Sequence, residues 1–251
     1  MTAATAAVLA QDTTPRLAFE VATIKRSAKL EDGGTFGFQP GGRFQSVNVP
    51  VIGLILSAYR SAGRSLLRSQ VIGPDWLLSD RYDITAKVSD QFAAGSPAEL
   101  YPKMPLFLQS FLEDRFKLKV HREMRELPIF VLQLARKDGV LGPQMRRSTV
   151  DCQRERAKCS ITFLPGHVTA GTVRLDSLIG DLSGILNRVV VDRTTLEGSF
   201  DFDLEWSPDQ TATDKPSIFA ALQEQLGLKL ESTKGPVDVL VIDHVERPTE
   251  D

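Results

Sequence analysis

Apolar and polar residues alternate along several short stretches of the chain and fall into helical stripes in others. Tyr82 to Val88 (YDITAKV) alternates strictly, with Tyr82, Ile84, Ala86 and Val88 on one side and Asp83, Thr85 and Lys87 on the other. Phe19 to Ile24, Phe44 to Asn48 and Phe200 to Trp206 also read as strands. Val51, Leu54, Ile55 and Ala58 follow Pro50 at helical spacing, and Met104, Phe107, Leu108, Phe111 and Leu112 make a second apolar stripe. The glycines from Gly33 to Gly42 make a loop or hairpin, and 61–79 is irregular, with a turn at Gly73-Pro74-Asp75-Trp76. From Leu106 to Arg136 the pattern predicts a helix, a strand Phe116–Val120, a turn at Glu126-Leu127-Pro128 and an apolar strand Ile129–Leu134. Ser217 to Pro248 repeats that order, with a tight Gly227, a Lys234-Gly235-Pro236 turn and an apolar strand at Val239–Ile242.

The echo extends further back. Gly42–Val49 aligns with Gly166–Val173, the Tyr82 strand with Phe200–Trp206 so that Asp83 meets Asp201, and Leu112–Val120 with Leu222–Leu230. Drifting offsets of this kind arise when loops change length and elements do not. The expected fold is α+β: two tandem β-α-β-α-β-β repeats, each a mixed or antiparallel sheet with helices packed on one face. The repeats occupy 18–136 and 161–248, joined by a charged connector at 137–160 and preceded at 1–17 by a signal-peptide remnant or a disordered, alanine-rich tail.

Composition narrows the function classes. Thirty basic and 32 acidic residues leave a net charge of -2, so no field of one sign gathers nucleic acid or an anionic membrane. No apolar run approaches the roughly 18 residues of a membrane span. Residues 2–10 (TAATAAVLA) followed by Gln11 resemble the end of a secretory signal, which predicts a chain that works in the periplasm or outside the cell. In that setting Cys152 and Cys159 are expected to form a local disulfide, because a zinc site would need two more ligands and only His167 lies nearby. No cofactor motif is present: the glycines make neither a phosphate loop nor a dinucleotide fingerprint.

Catalytic signatures such as G-x-S-x-G and H-E-x-x-H are absent. The sharpest local signal is the acidic stripe Asp201, Asp203, Glu205, whose carboxylates share one strand face. Clustered carboxylates serve as calcium ligands, as the acid and base of a glycoside hydrolase, or as the wet face of a sheet paired with cross-strand cations. Candidate catalytic groups are Asp83, Asp201 and Asp203 with His121 or His244. Candidate ligand contacts are Trp76, Arg81, Tyr82, Arg122 and Glu205. Asp192 is expected to bond its own backbone in a turn.

Several segments together resemble one family: FEVATIK, GGRFQSVNV, GPDWLLSDRYDI, LEDRFKLKVHRE, VVVDRTTLEGSFDFDLEW and the closing DVLVIDHVERP. It is the soil-associated family of exported proteins of unknown function that is expanded in acidobacteria, and the likeness covers residues 18 to 248. The resemblance implies a signal peptide and, through related domains joined to membrane-embedded metallopeptidase sensors, a ligand-sensing or binding role. Val173 to Leu230 is also similar to the short N-terminal domain of secretins and TonB-dependent receptors, which implies docking of protein partners. Three functions stand open at this point. One is an exported module that captures a small molecule, glycan or envelope protein. Another is a glycoside or ester hydrolase using the carboxylates with a histidine, and the last a structural envelope protein.

Overall fold

The computed structural model describes residues 16–28, 33–61, 64–208 and 215–251. The signal-like residues 1–15 lie outside the described residues. The chain divides into two compact units, one made of residues up to Arg122 together with Leu240–Asp251, the other of Glu123–Val239. The division falls inside two long strands, and the 137–160 stretch lies wholly in the second unit.

The first unit begins with β1 (Val21–Arg26), β2 (Thr35–Gln39), β3 (Arg43–Pro50) and α1 (Val51–Ala58). Short pieces follow: β4 (Arg60–Ser61), β5 (Arg64–Ser65), β6 (Val71–Ile72) and α2 (Trp76–Ser79). Then come β7 (Arg81–Lys87), α3 (Asp90–Ala93), α4 (Pro97–Leu100), α5 (Met104–Phe116) and the start of β8 (Lys119–Leu134). An antiparallel sheet in the order β1-β7-β3-β2 carries Tyr82, Ile84 and Ala86 on its buried face, as the alternation of β7 requires. The apolar stripes of α1 and α5 join that face in one core with Phe38, Phe44 and Leu240. Gly41 and Gly42, both at positive φ, turn β2 into β3.

The second unit adds β9 (Met145–Ser148), β10 (Ser160–Leu164), β11 (His167–Arg174), α6 (Leu175–Leu186), β12 (Val190–Asp192) and β13 (Ser199–Glu205). It closes with α7 (Ile218–Ala221), one π-helical turn Leu222–Leu226 and β14 (Leu228–His244). Its sheet, in the order β10-β11-β13-β9, is antiparallel. Phe200, Phe202 and Leu204 are buried with Leu178, Leu182, Leu222 and Leu226. The class is therefore α+β, with helices against the apolar face of each sheet.

Two expected turns are absent. β8 runs unbroken through Glu126-Leu127-Pro128, and β14 runs unbroken through Lys234-Gly235-Pro236. Proline is tolerated in a strand where no neighbour needs its missing N–H. On their outer sides both prolines lie beyond the short partners, since β12 pairs with β8 only at 130–132 and β6 with β14 only at 240–241. Gly235 has a packing reason, because a Cβ there would stand 2.6 Å from Ile129 Cδ1. Phe116, expected to open a strand, instead ends α5, and Lys117 turns the chain at φ 54°. The 137–160 connector contributes β9 to the second unit's sheet.

Cys152 and Cys159 form a disulfide with a Cα–Cα distance of 5.7 Å. Among the described residues no helix is long and apolar enough to cross a membrane.

Candidate functional site

Each of the two antiparallel four-stranded sheets contains a β-bulge, and the bulges explain two of the candidate carboxylates. In the first unit Ser46 faces Ile84 and Val49 faces Tyr82, so Val47 and Asn48 together oppose Asp83. In the second unit Ala170 faces Phe202 and Val173 faces Phe200, so Gly171 and Thr172 oppose Asp201. Asn48 and Thr172 take left-handed backbone at φ 56° and 53°. The amide of each donates to the opposing carboxylate, Asn48 N–H to Asp83 Oδ1 and Thr172 N–H to Asp201 Oδ1, both at 2.8 Å. Arg81 Nη1 donates to the Asn48 carbonyl at 3.0 Å, and Arg146 Nε to Asp201 Oδ2 at 3.1 Å. Burial pushes the Asp201 carboxyl up, but the Thr172 amide and Arg146 outweigh it and hold the group below the usual carboxylate range. Asp83 and Asp201 thus fasten the sheets, each within its own unit.

Removing the Asp201 carboxylate strands the Thr172 amide and one face of Arg146. Asp201→Ala is expected to cost about 1–3 kcal/mol, and Asp201→Asn, which keeps an acceptor for Thr172, clearly less. Urea unfolding followed by Trp206 fluorescence in a Trp76→Phe background reads this difference. Equal losses for the two variants would show that the bulge amide is not what Asp201 serves.

The remaining polar residues of β13 project from the same outer face. His167 is the cross-strand partner of Glu205, and Thr169 that of Asp203. His167 Nε2 lies 2.9 Å from Asp203 Oδ1, 3.2 Å from Thr169 Oγ1 and 4.0 Å from Glu205 Oε1. Lys215 Nζ reaches Glu205 Oε2 at 3.4 Å. The donor atoms of His167, Asp203 and Glu205 fall within 4.8 Å of one another, the convergence a cation requires. Here they engage each other, Thr169 and Lys215. Beside this group lies a hollow of about 260 Å³ lined by Gln144, Arg146, Thr169, Asp201 and Asp203. Half-buried His167 was not among the sequence candidates. The signal that finds it is the β11–β13 register, which sets it opposite Glu205.

The other candidates disperse. His121 Nδ1 bonds Asp243 Oδ1 at 2.8 Å and His244 Nε2 bonds Glu246 Oε1 at 2.8 Å, both on exposed strand of the first unit. Arg122 donates to the Arg60 carbonyl. Tyr82 sits in the core, edge-on to Phe116 with ring centroids 5.5 Å apart. It leaves no surface for a ligand, and burial, with Asp80 nearby, raises its phenol pKa. Trp76 lies under the Arg247 guanidinium, 4.8 Å from the ring centroid. The same arginine donates from Nε to Asp80 Oδ2 at 2.7 Å, and Arg26 approaches Asp80 Oδ1 at 3.0 Å. Asp192, as expected, accepts the Thr194 amide at 2.7 Å.

Fold and site together define a two-unit α+β protein that presents an open polar sheet face. Residues 53–245 match the family described as "Protein of unknown function (DUF3738)", and the chain belongs to that family. No curated protein and no solved structure matches the chain.

Proposed function

We propose that the protein is an exported binding module whose second-unit sheet face takes a polyhydroxylated ligand, a glycan. The observation that carries this is the hollow beside Asp203. Fixed carboxylates, a guanidinium, a hydroxyl and the Gln144 amide surround it. Sugar hydroxyls donate and accept at once, and such a mixture of groups meets both needs. Arg146 and the Thr172 amide keep Asp201 ionised, which suits an acceptor and opposes the protonated acid of a glycoside hydrolase. Binding without turnover is therefore the better account. Export is supported by the disulfide, which persists in oxidising compartments, and by the signal-like residues 2–10. The family likeness to exported proteins adds to it.

Two copies of one sheet unit are the simplest source of the matching strand orders and of the bulges at Asn48 and Thr172. On this view the terminal strand of each copy completes the unit of the other. A glycan array probed with the purified chain should give a defined set of ligands, with affinity at least tenfold lower for Asp203→Asn and Arg146→Ala. An empty array, or variants that bind as well as the parent, would remove the proposal.

A further inference from the structure

The first unit holds a hollow of about 470 Å³, within the size range of small-molecule sites, that none of the candidate residues above lines. Its walls are Tyr59, which caps α1, Glu113 and Lys117 at the end of α5, and Leu118, Lys119 and Val120 leading into β8. Leu118, Val120 and the Tyr59 ring supply an apolar lining continuous with the core. Around it the charge is positive. Lys119 is exposed and has no acidic partner among the described residues, and Lys117 Nζ spends one donor on the Asp114 carbonyl at 2.9 Å. Arg16 partly offsets the acidic wall, bonding Glu113 at 2.7 Å and Asp114 at 3.1 Å. The Tyr59 hydroxyl has no hydrogen-bond partner among the described residues. Burial, with Glu113 beside it, pushes its pKa up to about 12, so the phenol stays protonated and offers a donor.

We infer that this hollow is a binding site for an amphiphilic organic anion, a carboxylate on a short hydrocarbon chain. Lys119 and Lys117 meet the carboxylate as point charges, the Tyr59 hydroxyl donates to it, and the hydrocarbon lies on Leu118 and Val120. Both halves of the ligand are needed: a small anion lacks apolar contact, and a neutral chain leaves the ammonium groups in water.

The probe is octanoate, titrated into the full chain by calorimetry, with acetate and octanol as the two half-ligands. Octanoate is expected to bind at least tenfold more tightly than either, and more weakly as salt rises. Lys119→Glu, an exposed change that leaves the core intact, is expected to weaken octanoate at least tenfold, and Tyr59→Phe severalfold. Asp203→Asn, in the other unit, is expected to leave octanoate binding unchanged, which separates this site from the glycan face. Absence of octanoate binding, octanol binding as tightly as octanoate, or equal affinity in Lys119→Glu and the parent would each overturn the assignment.

Discussion

Phe107→Ala is expected to destabilise the first unit by about 3–5 kcal/mol, as emptying a fully enclosed aromatic site does. Phe107 has no exposed surface. Its ring stacks on Phe19 at 5.2 Å and meets Phe38 and Phe92 edge-on, each at 5.9 Å. These neighbours come from the segment before β1, from β2 and from α3, so the ring ties three parts of the unit to α5. The cavity cannot collapse without moving all of them. Leu106→Ala, one residue earlier on the same helix, removes a side chain that is 49% exposed and is expected to cost less than about 1 kcal/mol. The chain has two tryptophans, Trp76 in the first unit and Trp206 in the second. Urea unfolding of Trp206→Phe variants, followed through Trp76, therefore reports on the unit concerned. Similar midpoints for the two alanine variants would refute this account of the core.

The next largest effect is expected at Asp80, which is 7% exposed and held between two arginines. Removing a buried member of an ion pair leaves its partners' charges uncompensated. Because Arg26 and Arg247 are themselves half exposed, Asp80→Ala should fall at the low end for such changes, about 3 kcal/mol. Burial pushes the Asp80 carboxyl up, and Arg247 and Arg26 more than reverse this, holding it below the usual range. The unfolded chain then binds the proton more readily than the folded one. Asp80 contributes fully above the ordinary aspartate range, near pH 4, and its contribution drains away as pH falls through the lower folded value. Acid unfolding monitored by Trp76 should show this loss in the parent, and Asp80→Asn should flatten it. An unchanged acid profile in Asp80→Asn would place the acid sensitivity elsewhere.

Period and spacing made the sheet cores legible. The alternation in β7 and β13 assigned buried and wet faces correctly, and the α5 stripe named Phe107, Leu108, Phe111 and Leu112 as core. Misreading centred on β8 and β14. Pro128 and Gly235-Pro236 are turn residues by local chemistry, yet both stay in strands, clear of the short outer partners β12 and β6. Local sequence carries no information about which neighbour a strand lacks. The alignment of Asp83 with Asp201 corresponds to matching places in the two sheets, each opposite a bulge. Their task was hidden because a bulge is a property of two strands in register. Asn48 hints at left-handed backbone, whereas Thr172 does not. His167 stood out only as a neighbour of the two cysteines for the same cause: its partners are set by pairing, not by spacing along one strand. Two of the stretches that carry the family likeness, GPDWLLSDRYDI and DVLVIDHVERP, meet where Arg247 joins Trp76 and Asp80.

The first unit is completed by residues from Leu240 onward, so its chain is interrupted by the whole of the second. On the ribosome, which delivers the N-terminus first, the segment up to Arg122 emerges long before the strand end that pairs with β6 at Val71 and Ile72. During synthesis it must wait with part of its apolar face uncovered, while every piece of the second unit is already available by Val239. The order of completion is therefore the reverse of the order of translation. A released chain ending at Val239 should resist protease over Glu123–Val239 and be cut readily before Arg122. A chain that finishes its first unit last stays open to a holding chaperone until release.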